Sequence, residues 1–296
     1  MGFKSGFIGI IGRPNVGKST LLNALVGERI AITTPKPQTT RNRITGIKNV
    51  PGAQLVFIDT PGIHRAATPL NRVMVETARQ VVGSVDILLL LGEAHVGIQA
   101  GDLEIIETLK GVGKPVLLAL NKADLAGERD LGQSRDQWAA LYPFAAVVTL
   151  SALKTAGVDT LVETILSILP EGPPFFPEDM FTDRSERFLA AEMIREKIML
   201  LTREEIPYAV AVTVDAFKED EGRNLINMAA TVTVEKASQK GIIIGKGGEM
   251  IKRIGTEARR DLEAFFGARV FLELFVRVRR DWKRDEGMLK DLGYRE

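Results

Sequence analysis

The chain of 296 residues contains no cysteine, so disulfide bonds, thiolate-ligated zinc and thiol nucleophiles are excluded from its chemistry. It also lacks any apolar run near the roughly 18 residues needed to cross a bilayer; residues 87–91 form one that is far too short. The N-terminus has neither a long apolar stretch nor a leader-type cleavage motif, and enters a short apolar segment directly. Internal repeats and low-complexity tracts are absent, as is strong net charge, which is only +1. These absences lead to the expectation of a soluble cytoplasmic protein with no transmembrane segment. A hydrophobic content of 45% with 26% charged residues excludes general disorder, and the length favours two domains over one.

Within that near-neutral total lies a local asymmetry. Residues 236–284 hold thirteen basic against six acidic residues, a net +7, so the remainder is acidic on balance. The apolar pattern is uneven as well. Short β-branched runs at 7–11, 55–58, 87–91, 116–120 and 145–150 alternate with segments of helical period at 18–26, 70–82, 103–109 and 158–169. Near-continuous apolar strands separated by helices predict a doubly wound, mostly parallel sheet of the α/β class. The alternation stops at residues 170–177, where four prolines and a glycine in eight residues predict an extended connector. This sets a first domain over 1–174 and a smaller α+β domain over 175–296. In the second domain, a helix at 184–201 is followed by strands at 209–217 and 228–235, a glycine-interrupted helical region and a strand at 269–278.

The first strand runs into Gly12-Arg13-Pro14-Asn15-Val16-Gly17-Lys18-Ser19, a full G-x-x-x-x-G-K-S, and Thr20 then opens a helix. Strand, glycine loop and helix stand in the order a phosphate cradle needs: backbone amides close on phosphate oxygens and the helix dipole favours negative charge. Lys18 is expected to span the β and γ phosphates, and Ser19 to place its hydroxyl on Mg²⁺. This motif alone fits ATPases, metabolic kinases and GTPases alike. At the end of the run 116–120 comes Asn121-Lys122-Ala123-Asp124, where an open α/β sheet presents its ligands. A carboxylate at Asp124 accepts from guanine N1–H and the exocyclic amine, a donor pair adenine does not offer, so the expected ligands are GTP and GDP. Asn121 would brace the loop against the phosphate loop and the Lys122 stem would cover the base. Ser151, Ala152 and Leu153 close the next strand and fit a backbone donor to guanine O6.

The run 55–58 ends in Asp59-Thr60-Pro61-Gly62, with Asp59 expected at the Mg²⁺ and the Gly62 amide at the γ-phosphate. Between these motifs lies Gln38-Thr39-Thr40-Arg41, one of whose threonines would complete the metal shell; Thr40, which precedes Arg41, is the choice. The catalytic set is therefore Lys18, Ser19, Thr40, Asp59 and Gly62. Five motifs in this order resemble the translation-factor-related GTPases. Ile63 stands where Ras-like enzymes carry the glutamine that orients the attacking water, so that role is vacant and slow intrinsic hydrolysis follows. The adjacent His64 reads as a solvated loop side chain rather than a base. An apolar residue at this position is a feature of a subgroup that includes the Era family, and the resemblance implies a potassium site held by Asn15.

In the basic segment, Ile244 leads into Gly245-Lys246-Gly247-Gly248, a G-x-x-G before an amphipathic helix carrying Lys252. KH domains clamp a nucleic-acid backbone with such a loop, because any larger side chain holds the phosphate off the main chain. The helix-strand-strand-helix-helix-strand order matches the type II KH fold. Arg277, Arg279 and Lys283 flank Trp282, which either stacks a base or closes the core. A GTPase domain followed by a KH domain resembles the Era family over nearly the whole chain. That resemblance implies binding to the 3′ region of 16S ribosomal RNA and a role in 30S subunit maturation. A monomer is the expectation for oligomeric state, and the basic face leaves open an alternative, peripheral association with anionic lipid at the inner face of the cell membrane.

Overall fold

The computed structural model describes residues 2–37, 39–61 and 69–294. Two units partition the chain, one holding most residues up to Asp183, the other those from Arg184 onward together with Ile32–Lys36. The first unit is a six-stranded sheet. Its strands are β1 (Lys4–Gly12), β2 (Ile44–Val50), β3 (Ala53–Asp59), β4 (Ile87–Glu93), β5 (Val116–Asn121) and β6 (Ala146–Thr149), in the order β2-β3-β1-β4-β5-β6. Only β2 is antiparallel; it pairs with β3. Strands β3, β4 and β5 are buried at nearly every position, so both sheet faces are covered and their apolar runs have no polar alternation. The helices of this unit are α1 (Lys18–Val26), α2 (Pro69–Ser84), α3 (Ala100–Leu109), α4 (Glu128–Ala139) and α5 (Val158–Ile168). Trp138 of α4 is fully buried and its ring comes within 2.5 Å of where a Cβ on Gly92 would stand, so β4 needs glycine there.

The proline-rich segment is a strap on this sheet rather than a spacer. Gln54 Oε1 accepts from the amides of Phe175 (2.7 Å) and Phe176 (2.9 Å), and Thr182 Oγ1 donates to the Thr45 carbonyl at 2.7 Å. Phe175 packs on Phe7 with ring centroids 4.6 Å apart. The second unit accordingly takes up at Arg184, later than the boundary expected near residue 175.

That second unit comprises α6 (Glu186–Leu201), α7 (Ile206–Ala209), β7 (Ala211–Asp220), β8 (Leu225–Val234), α8 (Ala237–Ile244), α9 (Glu249–Phe266), β9 (Arg269–Val278) and α10 (Glu286–Asp291). Its sheet runs β7-β8-β9, with β7–β8 antiparallel and β8–β9 parallel. One face packs under α6, α8 and α9 around Ile194, Met228, Val232, Ile254 and Leu262. Arg195, fully buried in α6, is held by both oxygens of Glu192 at 2.7 and 2.6 Å. At the C-terminal end of α6, Lys36 Nζ donates to the carbonyls of Met199 and Thr202, and the Thr33 amide donates to Glu196 Oε1 at 2.9 Å. A cation at these unpaired carbonyls suits the negative end of the helix dipole. Trp282 is fully buried, donates to the Ala209 carbonyl at 3.2 Å and stacks on Tyr294. It therefore closes the core, and the base-stacking alternative is set aside.

Candidate nucleotide and nucleic-acid sites

β1 delivers Gly12 at its carboxyl end and α1 starts at Lys18, with Gly17 as a left-handed N-cap at φ 101°. A Cβ on Gly17 would stand 2.3 Å from Asn121 Nδ2, so both the backbone and the close approach require glycine. Lys18 is buried, and its Nζ donates to the carbonyls of Gly12 (3.1 Å) and Arg13 (3.0 Å). Burial lowers its pKa from 10.5 to about 8, with Asp59 opposing the shift and Arg13 adding to it.

Asp59, at the end of β3, is fully buried. Its Oδ2 accepts from Ser19 Oγ at 2.7 Å and Thr40 Oγ1 at 3.3 Å, and those two hydroxyls are 2.8 Å apart. Burial raises the Asp59 carboxyl above its ordinary range, against the Lys18 ammonium. Its Oδ1 is a buried acceptor with no hydrogen-bond donor among the described residues. Two hydroxyls and a carboxylate with a spare oxygen form a hard donor set that suits Mg²⁺. Of the two threonines, Thr40 is the one whose hydroxyl reaches Ser19 and Asp59. Gly62, Ile63, His64 and Gln38 lie outside the described residues.

Asn121 joins two loops, its Nδ2 donating to the Val16 carbonyl at 2.8 Å and its Oδ1 accepting from the Ala152 amide at 2.9 Å. Asp124 is held below the usual carboxylate range first by a hydrogen bond from Ser151, then by its own backbone and by Lys154; Lys154 Nζ lies 3.9 Å from its Oδ2. Leu153 is exposed, Pro14 and Thr20 are half-buried, and Asn15 is exposed with a left-handed backbone at φ 65°. Lys122, also left-handed, forms an ion pair with Glu93. Arg13, expected at the nucleotide, turns its guanidinium to Glu93 at 3.1 Å and Asp102 at 2.8 Å. Sequence reasoning missed both carboxylates. The findable signal was the spacing Gln99-x-x-Asp102, a capping box at the start of α3.

In the second unit, residues 245–248 form the turn between α8 and α9. Gly245, Gly247 and Gly248 all have positive φ (75°, 61° and 82°), and a Cβ on Gly245 would meet the Met250 amide nitrogen at 2.8 Å. Lys246 and Gly247 are exposed and Gly248 caps α9, so a backbone phosphate has open access to main-chain amides and the helix N-terminus. Ile244 is half-buried beside this turn and Lys252 is exposed on α9. The other expected nucleic-acid residues are not gathered there. Arg277 and Arg279 line a cavity of about 470 Å³ under the C-terminal segment, whereas Lys283 lines another of about 580 Å³ and pairs with Glu235 at 2.7 Å.

Among the described residues no helix is long and apolar enough to cross a membrane. Residues 7–122 match the 50S ribosome-binding GTPase family and residues 205–283 the KH domain family. The GTPase Era of Syntrophus aciditrophicus is 60% identical over 99% of this chain and 96% of its own length. That of Geobacter metallireducens is 56% identical over 99% and 98%. Two solved structures superpose with a TM-score of 0.95 at 42% identity, covering 99% of this chain and 100% of theirs. One is an Aquifex aeolicus Era variant bound to GDP and AlF4⁻; the other is Era with MgGDPNP and nucleotides 1506–1542 of 16S ribosomal RNA. With a phosphate loop, a guanine loop and a G-x-x-G turn on one chain, and relatives matching it end to end, the protein belongs to the Era family of GTPases, an N-terminal GTPase domain followed by a C-terminal KH domain.

Proposed function

We propose that this GTPase is a guanine-nucleotide switch that binds the 3′ region of 16S ribosomal RNA through its KH domain and acts in assembly and maturation of the 30S subunit. The observation that carries the nucleotide half is the Asn121 bridge, which holds the phosphate loop and the 151–153 loop in one frame. In that frame Asp124 meets the guanine edge and the amides of residues 15–20 surround the phosphates. Lys18 neutralises the β and γ phosphates, and Ser19, Thr40 and Asp59 hold Mg²⁺. The metal supplies charge neutralisation at the transferring phosphoryl group. Related Era carries MgGDPNP together with 16S nucleotides, which supports the same pairing of ligands here. The open turn at Gly245, Lys246, Gly247 and Gly248 supports backbone clamping of single-stranded RNA.

Nucleobase exchange tests the assignment. Asp124→Asn reverses one donor–acceptor pair, so GTP affinity is expected to fall by about 100-fold while xanthosine triphosphate gains. A variant that still prefers GTP overturns the role of Asp124. Asn15 as a potassium ligand rests on family resemblance; turnover in potassium is expected to exceed that in sodium, and equal rates remove the second cation.

A further inference from the structure

Helices α6, α8 and α9 cover one face of the β7-β8-β9 sheet; on the other, Asp291 of α10 and residues 292–293 line a cavity with the buried Thr231 and Thr233, while two phenylalanines of β9 stay exposed. On edge strand β9 the inward residues Leu272, Leu274 and Val276 pack on the core. Burial alternates along the strand, so the intervening residues face outward. Two of these are phenylalanines, Phe271 at 54% and Phe275 at 55% exposure. They share a face four residues apart, about 13 Å along a strand rising about 3.3 Å per residue. Beside them β8 offers small or neutral partners in register, Asn227 opposite Phe271 and Thr231 opposite Phe275. Past Phe275 the same face ends at Arg277 and Arg279, which with Arg187 line the cavity of about 470 Å³.

We propose that this outer sheet face is a second single-stranded RNA surface, with Phe271 and Phe275 stacking bases and Arg187, Arg277 and Arg279 meeting the backbone that leaves them. The inference rests on the RNA-binding reading of the KH domain and extends it to a face the G-x-x-G turn does not reach. Exposed aromatics on a sheet flanked by arginines are a general solution for single strands, because every base has a π-face and every linkage a charge. Three arginines at one end of the face, Arg187, Arg277 and Arg279, favour this occupant. So does continuity: α8 and α9, which bracket the turn, both pack on β9, so a strand leaving the clamp meets this edge. The acidic groups fit the division of labour. Glu273 sits between the two rings, where a carboxylate accepts base N–H groups rather than facing phosphate. Asp291 lies 3.6 Å from Arg279, and Asp215 accepts from Thr213 at 3.2 Å and Thr231 at 2.5 Å.

The test uses the full chain and oligonucleotides from the 3′ end of 16S ribosomal RNA, about four and about twelve nucleotides long, at fixed salt; about four is what one KH groove holds. The Phe271→Leu/Phe275→Leu variant keeps apolar bulk and removes the π-faces. It is expected to bind the short RNA as the parent does and the long RNA at least about tenfold more weakly. In the parent, a 4-thiouridine-substituted long RNA is expected to crosslink to the β9 peptide. A Lys246→Glu/Gly247→Asp variant is expected to lose short-RNA binding, which tests the clamp separately. Long-RNA affinity within twofold of the parent, with no crosslink on β9, overturns the second surface while leaving the clamp intact. Loss of self-association in the phenylalanine variant, with RNA binding unchanged, would mark the face as a protein interface and equally overturn it. If the parent binds neither RNA, the KH reading fails and this inference with it.

Discussion

Asn121 joins parts of the nucleotide pocket that lie far apart in sequence, and Gly17 is what lets it. A side chain on Gly17 would collide with Asn121 Nδ2 at 2.3 Å, on a backbone at φ 101° that L residues resist. Gly17→Ala is therefore expected to break the bridge to Val16 and to strain the N-cap of α1, at about 1–3 kcal/mol for the backbone alone. Titration with fluorescent GDP is expected to show at least tenfold weaker binding with the far-ultraviolet spectrum retained. Unchanged affinity contradicts the bridge. The motif residues were legible in the sequence because phosphate and guanine chemistry restricts each position to one or two residue types. The partners of Arg13 were not, since Glu93 and Asp102 belong to different elements and only the fold brings them to one guanidinium.

At the scale of elements, legibility follows burial. Strands β4 and β5 read clearly because both faces are covered, and β9 because its apolar residues alternate with outward-facing polar and aromatic ones. β2 escaped notice: Ile44–Val50 is an antiparallel edge strand carrying Thr, Gly, Lys and Asn. α4 did as well, since it buries only Ser134 and Trp138 and its apolar stripe is too sparse to show a period. The proline-rich segment read correctly as extended but not as a strap, because it holds Gln54 through the backbone amides of Phe175 and Phe176, which carry no sequence signal. α6 makes the sharpest energetic claim. Glu192→Ala leaves the fully buried Arg195 without its bidentate carboxylate, a loss of about 3–5 kcal/mol for a broken buried pair. Urea unfolding of the second unit is expected to shift by that amount, and a change below about 1 kcal/mol would mean other groups already carry the guanidinium.

For the whole molecule, the claim is that nucleotide state and RNA affinity are linked. Chain connectivity supplies a route: Lys36 is held on the α6 carbonyls of the second unit, and a few residues on Thr40 bonds to Ser19 and Asp59 in the first. A Thr40 drawn toward a metal-bound γ-phosphate would, by chain connectivity alone, be the nearest switch residue to that anchored segment. Linkage then requires RNA to tighten the GTP form by the same factor that GTP tightens RNA, about 5 to 150-fold for typical couplings. The decisive measurement is the affinity for the 3′-terminal 16S oligonucleotide with GDP and with a non-hydrolysable GTP analogue at one salt concentration, paired with nucleotide affinity with and without RNA. Tighter RNA binding in the GTP-analogue state, with a matching factor in the reciprocal titration, is the predicted result; identical RNA affinities in the two states would contradict the switch and leave two tethered domains.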